Sequence, residues 1–74
     1  MMKNENNYIS CNFDELNNHI NCKLYLGYNN RILYMGILLE TNVFYDHYKK
    51  RRLRFSDERI YIDSNSDSKY YIEK

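Results

Sequence analysis

The sequence is poor in the residues that several kinds of functional site require. Its 74 residues include two glycines, two cysteines, and no proline or tryptophan. Two glycines are too few for a glycine-rich phosphate-binding loop. Two cysteines are too few for the disulfide framework of a small secreted domain. We therefore expect Cys11 and Cys22 to be free, buried thiols.

Candidate metal ligands are equally sparse. The soft ligands are limited to two cysteines and two histidines, namely Cys11, His19, Cys22 and His47. Their spacing matches no zinc pattern, because neither a Cys-x2-Cys pair nor a His-x3-5-His pair occurs. A domain of this size also has little room for a catalytic pocket. The sequence therefore predicts no catalytic residue, no metal site and no cofactor, and the expected protein is not an enzyme.

Long apolar runs are missing too. None approaches the roughly 20 residues of a membrane span, and the N-terminus, MMKNENNYIS, is too polar for a signal peptide. We therefore expect a cytoplasmic protein with no membrane partner.

Alanine is absent, whereas Asn, Lys, Ile and Tyr are abundant. That bias indicates AT-rich coding, from an AT-rich genome or from a mobile element living in one.

What the sequence does contain is an apolar centre at residues 22–41. Leu24 and Leu26 alternate with more polar neighbours, which is typical of a strand with one buried face. Asn29 and Asn30 follow. Because Asn tolerates positive φ, this pair predicts a two-residue hairpin turn.

The second half of this centre, residues 31–41, is apolar on both faces. One face would carry Ile32, Tyr34 and Leu38, and the other Leu33, Met35, Ile37 and Leu39. We therefore expect a strand that is covered on both sides, and a core helix is the other interpretation of such a run. Gly36 lies near the middle and predicts a bend or a bulge.

The chain is predicted to form one domain, residues 1–74. Residues 1–11 are a polar lead, 12–20 a helix, 22–63 the sheet, and 64–74 a loop with a possible edge strand. Asn12 with Glu15 three residues later is a capping-box-like pair, which indicates where the helix begins. Its apolar stripe would consist of Phe13, Leu16 and Ile20.

Alternation returns in the second half of the chain. Leu53 and Phe55 would point inward on one strand, and after a turn at residues 56–58 Ile60 and Ile62 would point inward on the next. The predicted fold class is mainly β, with α+β character at the N-terminus. A short N-terminal helix would precede a small, four- to five-stranded, antiparallel and strongly bent sheet or barrel.

This order of elements resembles the Sm-like fold from Phe13 to about Ile62. The segments INCKLYL and NNRILYMGILLE are similar to the first Sm motif, a strand, a turn and a strand ending in Gly-hydrophobic-Leu. In that family the barrels assemble into rings and bind RNA. Residues 40–46, ETNVFYD, do not match the family motif with its Asp and Asn, and residues 64–66 replace its Arg-Gly pair, so no RNA-reading residue carries over. An SH3-like barrel would give the same pattern.

The strongest functional signal is a basic run that follows two tyrosines. The candidate binding residues are Tyr45, Tyr48, Lys49, Lys50, Arg51, Arg52 and Arg54. The net charge is +4 over residues 31–54, against −1 before and −2 after that part. Such a run suits an acidic protein surface or nucleic-acid phosphates. A solvated run, or a strand edge protected against pairing, would have the same composition.

Nine tyrosines are the second signal. A domain this small cannot bury all of them, and exposed tyrosines are enriched at interfaces. AT-rich coding and the high strand propensity of tyrosine would also raise their number.

Two functions are compatible with these patterns. The first is a small non-enzymatic binding module, a protein-interaction accessory subunit or an inhibitor acting on a nucleic-acid-handling assembly. The alternative is a divergent Sm-like RNA-binding subunit of a ribonucleoprotein or ring oligomer. Because a core this small is marginal by itself, we expect a protein partner, a larger assembly or self-association as a homo-oligomer.

Overall fold

The computed structural model of the protein describes residues 7–64 and 67–73, and within them the fold is mainly β, as predicted. Six strands and one short helix occur. The strands are β1 (Tyr8–Cys11), β2 (Lys23–Tyr28), β3 (Arg31–Asp46), β4 (Tyr48–Phe55), β5 (Ile60–Asp63) and β6 (Lys69–Glu73). The helix, Phe13–His19, lies between β1 and β2.

The six strands form one antiparallel sheet in the order β1-β6-β2-β3-β4-β5. The predicted antiparallel sheet is confirmed. The prediction of four to five strands, with barrel closure as one possibility, needs correction, because the sheet has six strands and is not closed. In the described part of the chain β1 and β5 remain its two edges.

The N-terminal helix is a 3-10 helix, so the prediction of a regular helix over residues 12–20 is wrong in type and in its last residue. Its beginning follows the prediction, since the Glu15 carboxylate accepts a hydrogen bond from the Asn12 N–H at 2.7 Å. In a 3-10 helix residues i and i+3 eclipse each other. Phe13 and Leu16 have this spacing and are both buried, so a three-residue period places the apolar stripe on the core.

Two strands, β1 and β6, differ from the prediction for the ends of the chain. The lead, residues 1–11, contains β1, and β6 lies between β1 and β2 instead of at an edge. The prediction of a polar lead without a strand is wrong for residues 8–11. These residues pair with a segment about sixty residues later in the chain, for example Tyr8 with Glu73, and the local sequence does not show that pairing. Residues 1–6, 65, 66 and 74 lie outside the described residues.

The predicted central hairpin is confirmed. Asn29 and Asn30 have φ of 49° and 61°, and they connect the paired residues Tyr28 and Arg31. Gly36 has a φ of 140°, and the register between β2 and β3 shifts beside it, which makes a bulge. Both local predictions held because each depends on residues that tolerate positive φ.

The prediction that β3 is covered on both faces is wrong. Leu38 is fully buried, whereas Leu33 is 41% exposed and Tyr34 is 55% exposed. The reason is the shortage of covering elements, because the single described helix packs on one side of the sheet only. The other face of β3 is partly open.

The core lies on the concave side of the sheet, under the 3-10 helix. Leu53 and Phe55 point into it, as predicted, and both are nearly inaccessible. The buried cluster consists of Cys11, Phe13, Leu16, Leu24, Leu38, Leu53, Phe55, Tyr70 and Ile72. The two cysteines are free thiols, Cys11 buried and Cys22 half-buried, and burial raises the pKa of Cys11.

The side chains of β5 that point into the core are the opposite of those predicted. Ile60 and Ile62 are 53% and 46% exposed, whereas Tyr61 is half-buried and Asp63 is buried. The turn decides this, because the Phe55 N–H donates to the Arg59 carbonyl and thereby makes those two residues opposite partners. Cross-strand partners share a face, so the odd-numbered residues of β5 turn inward with Phe55.

Buried Asp63 is stabilised from across the sheet. Its carboxylate accepts a hydrogen bond from the hydroxyl of Tyr70, whose side chain is 1% exposed. Asp63 lies on edge strand β5, and Tyr70 lies on β6 beyond three intervening strands. The contact therefore joins two distant parts of the open sheet, and it requires the sheet to curl.

The bulge at Gly36 generates a stability prediction. An added Cβ would lie 2.8 Å from the Arg59 guanidinium and 3.1 Å from the Phe55 ring, at a φ that L-residues rarely adopt. Gly36→Ala should therefore lower the free energy of unfolding by about 2 to 4 kcal/mol in urea denaturation. Gly27→Ala is the matched control. There the φ is not positive, and the Cβ would lie 3.0 Å from the Tyr71 ring and at ordinary contact distance, 3.6 Å, from Lys69, so a loss of about 1 kcal/mol is expected. Equal losses would contradict the role of the positive φ.

A second prediction concerns alkaline pH. Burial first, and the hydrogen bond to Asp63 second, raise the pKa of Tyr70 far above its ordinary value. The unfolded chain loses this proton near pH 10 while the folded chain keeps it, so stability falls as pH rises. The free energy of unfolding should fall by about 1.4 kcal/mol per pH unit above pH 10 from this proton. Tyr70→Phe should lower the measured slope by this amount, while Tyr25, whose pKa the hydrogen bond to Glu73 also raises, keeps its own contribution. Tyr48→Phe, at an exposed site, is the control and should not lower the slope. An unchanged slope in Tyr70→Phe would contradict this assignment.

Candidate functional site

All seven candidate residues lie on one structure, the hairpin made by the second half of β3 and by β4. We call residues 40–54 the basic hairpin. Asp46 pairs with Tyr48, and His47 connects them with a φ of 68°. Tyr45 and Tyr48, at its tip, are 74% and 72% exposed, the highest values among the large exposed apolar side chains of the described residues. The sequence-based grouping of the tyrosines with the basic run is therefore also a grouping in space.

Strand alternation divides the basic run between two faces. Lys49 and Arg51 share the inner face with Leu53, together with Tyr45, which is the cross-strand partner of Lys49. The outer face carries Tyr48, Lys50, Arg52 and Arg54. A run that is continuous in the sequence therefore lies on two surfaces in the structure. The period of two within a strand could have indicated this division.

The outer face already contains its own counter-charges. Glu40 lies 3.7 Å from Arg52 and 3.2 Å from Arg54, and Asp46 lies 3.5 Å from Lys50. Both carboxylates are at least half exposed. Exposed ion pairs of this kind are worth little, about 0 to 1 kcal/mol. A stronger acidic partner could therefore displace them at low cost.

The inner face combines cations with a small cleft. Arg51 lies over the Phe13 ring at 5.4 Å and is the cross-strand partner of buried Asp63, so part of its function is structural. Lys49 has no carboxylate of the described residues within ion-pair distance. A cleft of about 230 Å³ adjoins both side chains, and its walls also include Asn12, Phe13, Asp14, Ser68 and Tyr70.

The basic run in the sequence does not indicate the other residues that line this cleft. Asn12 and Ser68 supply neutral hydrogen-bonding groups from either end of the chain, and Asp14 supplies one opposing charge. Only the pairing of strands distant in sequence brings them beside β4.

The tyrosines do not form one interface. Tyr25, Tyr70 and Tyr71 are buried, so the structure uses them for packing. On the convex side Tyr25 contacts Tyr8 and Tyr34, at ring-centroid distances of 4.8 and 5.3 Å, and its hydroxyl donates to Glu73. The prediction that they could not all be core is confirmed, and the exposed set consists of Tyr28, Tyr34, Tyr45 and Tyr48.

No site for a metal is evident in the part of the chain that the structure describes, where no three His, Cys, Asp or Glu side chains come together. Across the same residues no helix has the length and apolar character needed to cross a membrane. Comparison with protein-family models, with curated proteins and with solved structures finds no match for this chain. The resemblance to Sm-like barrels therefore stays a prediction.

The ion pairs of the outer face lead to a prediction about stability. Glu40→Gln keeps the side-chain shape and removes the charge that Arg52 and Arg54 share. Because all three side chains are substantially exposed, the free energy of unfolding should change by less than about 1 kcal/mol in urea denaturation. Asp46→Asn is the matched control at the other exposed pair. A loss above about 2 kcal/mol would mean that the pairs hold the hairpin together.

Proposed function

We propose that the protein is a small non-enzymatic binding module that inserts the tip of its basic hairpin into an acidic cleft of a protein partner. The observation that carries this proposal is the placement of Tyr45 and Tyr48. Both rings are about three-quarters exposed, at the same tip, but on opposite faces. A flat partner surface would bury one ring, whereas a cleft with two walls would bury both.

Charge supports an acidic lining for that cleft. Each tyrosine shares its face with a lysine, Tyr45 with Lys49 and Tyr48 with Lys50. Tyrosine is enriched among the residues that dominate binding energy at protein interfaces. Complementary charge also speeds encounter with an acidic partner.

The proposed role is that of an accessory subunit or an inhibitor. A small body with two exposed tyrosines at one hairpin tip suits docking on a larger partner, and AT-rich coding is compatible with a mobile-element inhibitor. We place the partner in a nucleic-acid-handling assembly, because the cations of this hairpin could also meet phosphates there.

The alternative function, an RNA-binding subunit, is favoured by a different observation. The cleft beside Lys49 and Arg51 combines two cations with the amide of Asn12 and the hydroxyl of Ser68. Phosphate oxygens accept hydrogen bonds from all of these groups. The opposing Asp14 and the structural use of Arg51 reduce the attraction, so we rank this function second.

The test is capture of partners from extract by the immobilised full-length chain, with mass spectrometry as the readout. An inner-face variant, Tyr45→Ser with Lys49→Glu, and an outer-face variant, Lys50→Glu with Arg52→Glu and Arg54→Glu, address the faces separately. If the tip enters a cleft, each variant should lose the same partner by at least about tenfold. Glu40→Gln, which releases two outer-face arginines, should retain or strengthen capture.

Control experiments distinguish docking in a two-walled cleft from RNA binding and from a hairpin that binds nothing. Lys23→Glu, a charge reversal at an exposed β2 residue outside the hairpin, should leave capture unchanged. Loss in only one hairpin variant would contradict the two-walled cleft. For RNA, capture should vanish after nuclease treatment, and oligonucleotide binding through two inner-face cations should have a salt slope near −1.4, from roughly −0.7 per contact. Capture that survives both hairpin variants would mean that the basic hairpin is only a solvated arm.

A further inference from the structure

The edge strand β5 carries an unusual combination of features. It has no strand partner on its outer side in the described part of the chain. Its two isoleucines, Ile60 and Ile62, are about half exposed instead of buried. Edge strands are normally protected by charge, proline or a bulge, because an open apolar edge pairs with other chains. β5 contains no proline, and its one charged side chain, Asp63, is buried on the inner face, away from the two isoleucines.

We propose that β5 pairs antiparallel with β5 of a second copy of this chain, around a two-fold axis at Tyr61. The partner is identified by self-complementarity. The segment Ile60-Tyr61-Ile62 places isoleucine opposite isoleucine when it is read against itself in the opposite direction. A two-fold interface requires this property, because the same patch must fit itself.

The backbone of β5 supports the same register. The hydrogen bond from the Phe55 N–H to the Arg59 carbonyl fixes the alternation of the hairpin, so Tyr61 and Asp63 direct their backbone groups to β4. Ile60 and Ile62 then direct theirs to the open edge. In a pair centred on Tyr61, Ile60 of each copy lies opposite Ile62 of the other copy. All the outward N–H and C=O groups of both isoleucines can then be satisfied.

Other registers fit less well. Antiparallel partners must share a face, so the centre of symmetry must fall on a residue. A centre at Ile60 would pair Ile62 with Glu58, and a centre at Ile62 would pair Ile60 with Ser64. Both leave one isoleucine of each copy against a polar residue. Only the Tyr61 centre joins all four isoleucines in one cluster on the outer face.

Neighbouring charges do not oppose this contact. Arg52 and Arg54, the cross-strand partners of Ile62 and Ile60, both lie within ion-pair distance of Glu40. The interface is small because the strand has four residues, so we expect a weak dimer with a dissociation constant of about 1 to 100 µM.

The first experiment is sedimentation of the full-length chain over a concentration series. The native chain should shift from monomer to dimer, and Ile62→Lys should raise the dissociation constant by about tenfold or more. Ile9→Lys is the matched control, since Ile9 is 43% exposed on the other edge strand, β1. A native chain that remains monomeric up to about 500 µM overturns the proposal. Dissociation by Ile9→Lys alone would assign the contact to β1 and overturn it as well.

The second experiment measures register and does not depend on how well a lysine is tolerated. Residues facing themselves across the axis lie about 4.5 Å apart at Cα, which a disulfide can bridge. Tyr61→Cys should therefore give a covalent dimer on mild oxidation, whereas Ile60→Cys, which faces Ile62, should not. The native chain is the control for Cys11 and Cys22. Crosslinking of Ile60→Cys in place of Tyr61→Cys would overturn the proposed register.

Discussion

The fold depends on the backbone conformation at Gly36, where one strand changes partners. β3 pairs with β2 through residues up to Ile37 and with β4 from Leu38 onward. The change is possible because Gly36 has a φ of 140° and lies next to a bulge. Arg59 stabilises this point from the far side, since its guanidinium donates to the Met35 carbonyl and lies over the Phe55 ring at 5.4 Å. A strained backbone conformation persists only where surrounding contacts hold it in place, as the contacts of Arg59 do here. The bend is thus coupled to the turn before β5.

That coupling explains both exposed surfaces. Because β3 has sixteen residues and pairs with β2 only up to Ile37, its second half pairs with β4 and forms the basic hairpin with it. The pairing of β4 with β5 begins at Arg51, so the tip of the hairpin before it is two-stranded and marginally stable by itself. Tyr45 and Tyr48, exposed at this tip, therefore add little to the stability of the monomer. At the other end, the turn that positions Arg59 also fixes which residues of β5 point inward. The exposure of Ile60 and Ile62 therefore follows from the same constraint.

The sequence predicted what depends on neighbouring residues. The Asn29-Asn30 turn, the glycine bulge and the inward facing of Leu53 and Phe55 were correct, because dihedral preference and alternation are local. The facing of β5 was not predictable from its own pattern. Two isoleucines on alternate positions indicate a buried face, but a single hydrogen bond in the turn sets the register and reverses the assignment. β1 was hidden for a related reason, since its partner β6 is distant in the chain. The candidate site was found as a linear run, and alternation within β4 divides it between two faces. The other walls of the cleft beside it depend on the pairing of strands that are distant in the chain.

The two proposed contacts occupy adjoining parts of one sheet, and their chemistry differs. The hairpin tip offers rings and cations, and the β5 edge offers backbone groups and isoleucines. They meet along the outer face, where Arg52 is the cross-strand partner of Ile62. A partner that grips only the tip leaves the β5 edge open, so a dimer could present two hairpins at once. Two linked binding elements raise avidity through effective concentration without any new contact, provided that the partner's sites match their separation. A partner that reaches as far as Arg52 would instead compete with the second copy. The depth to which the hairpin is inserted therefore decides whether self-association strengthens or weakens binding.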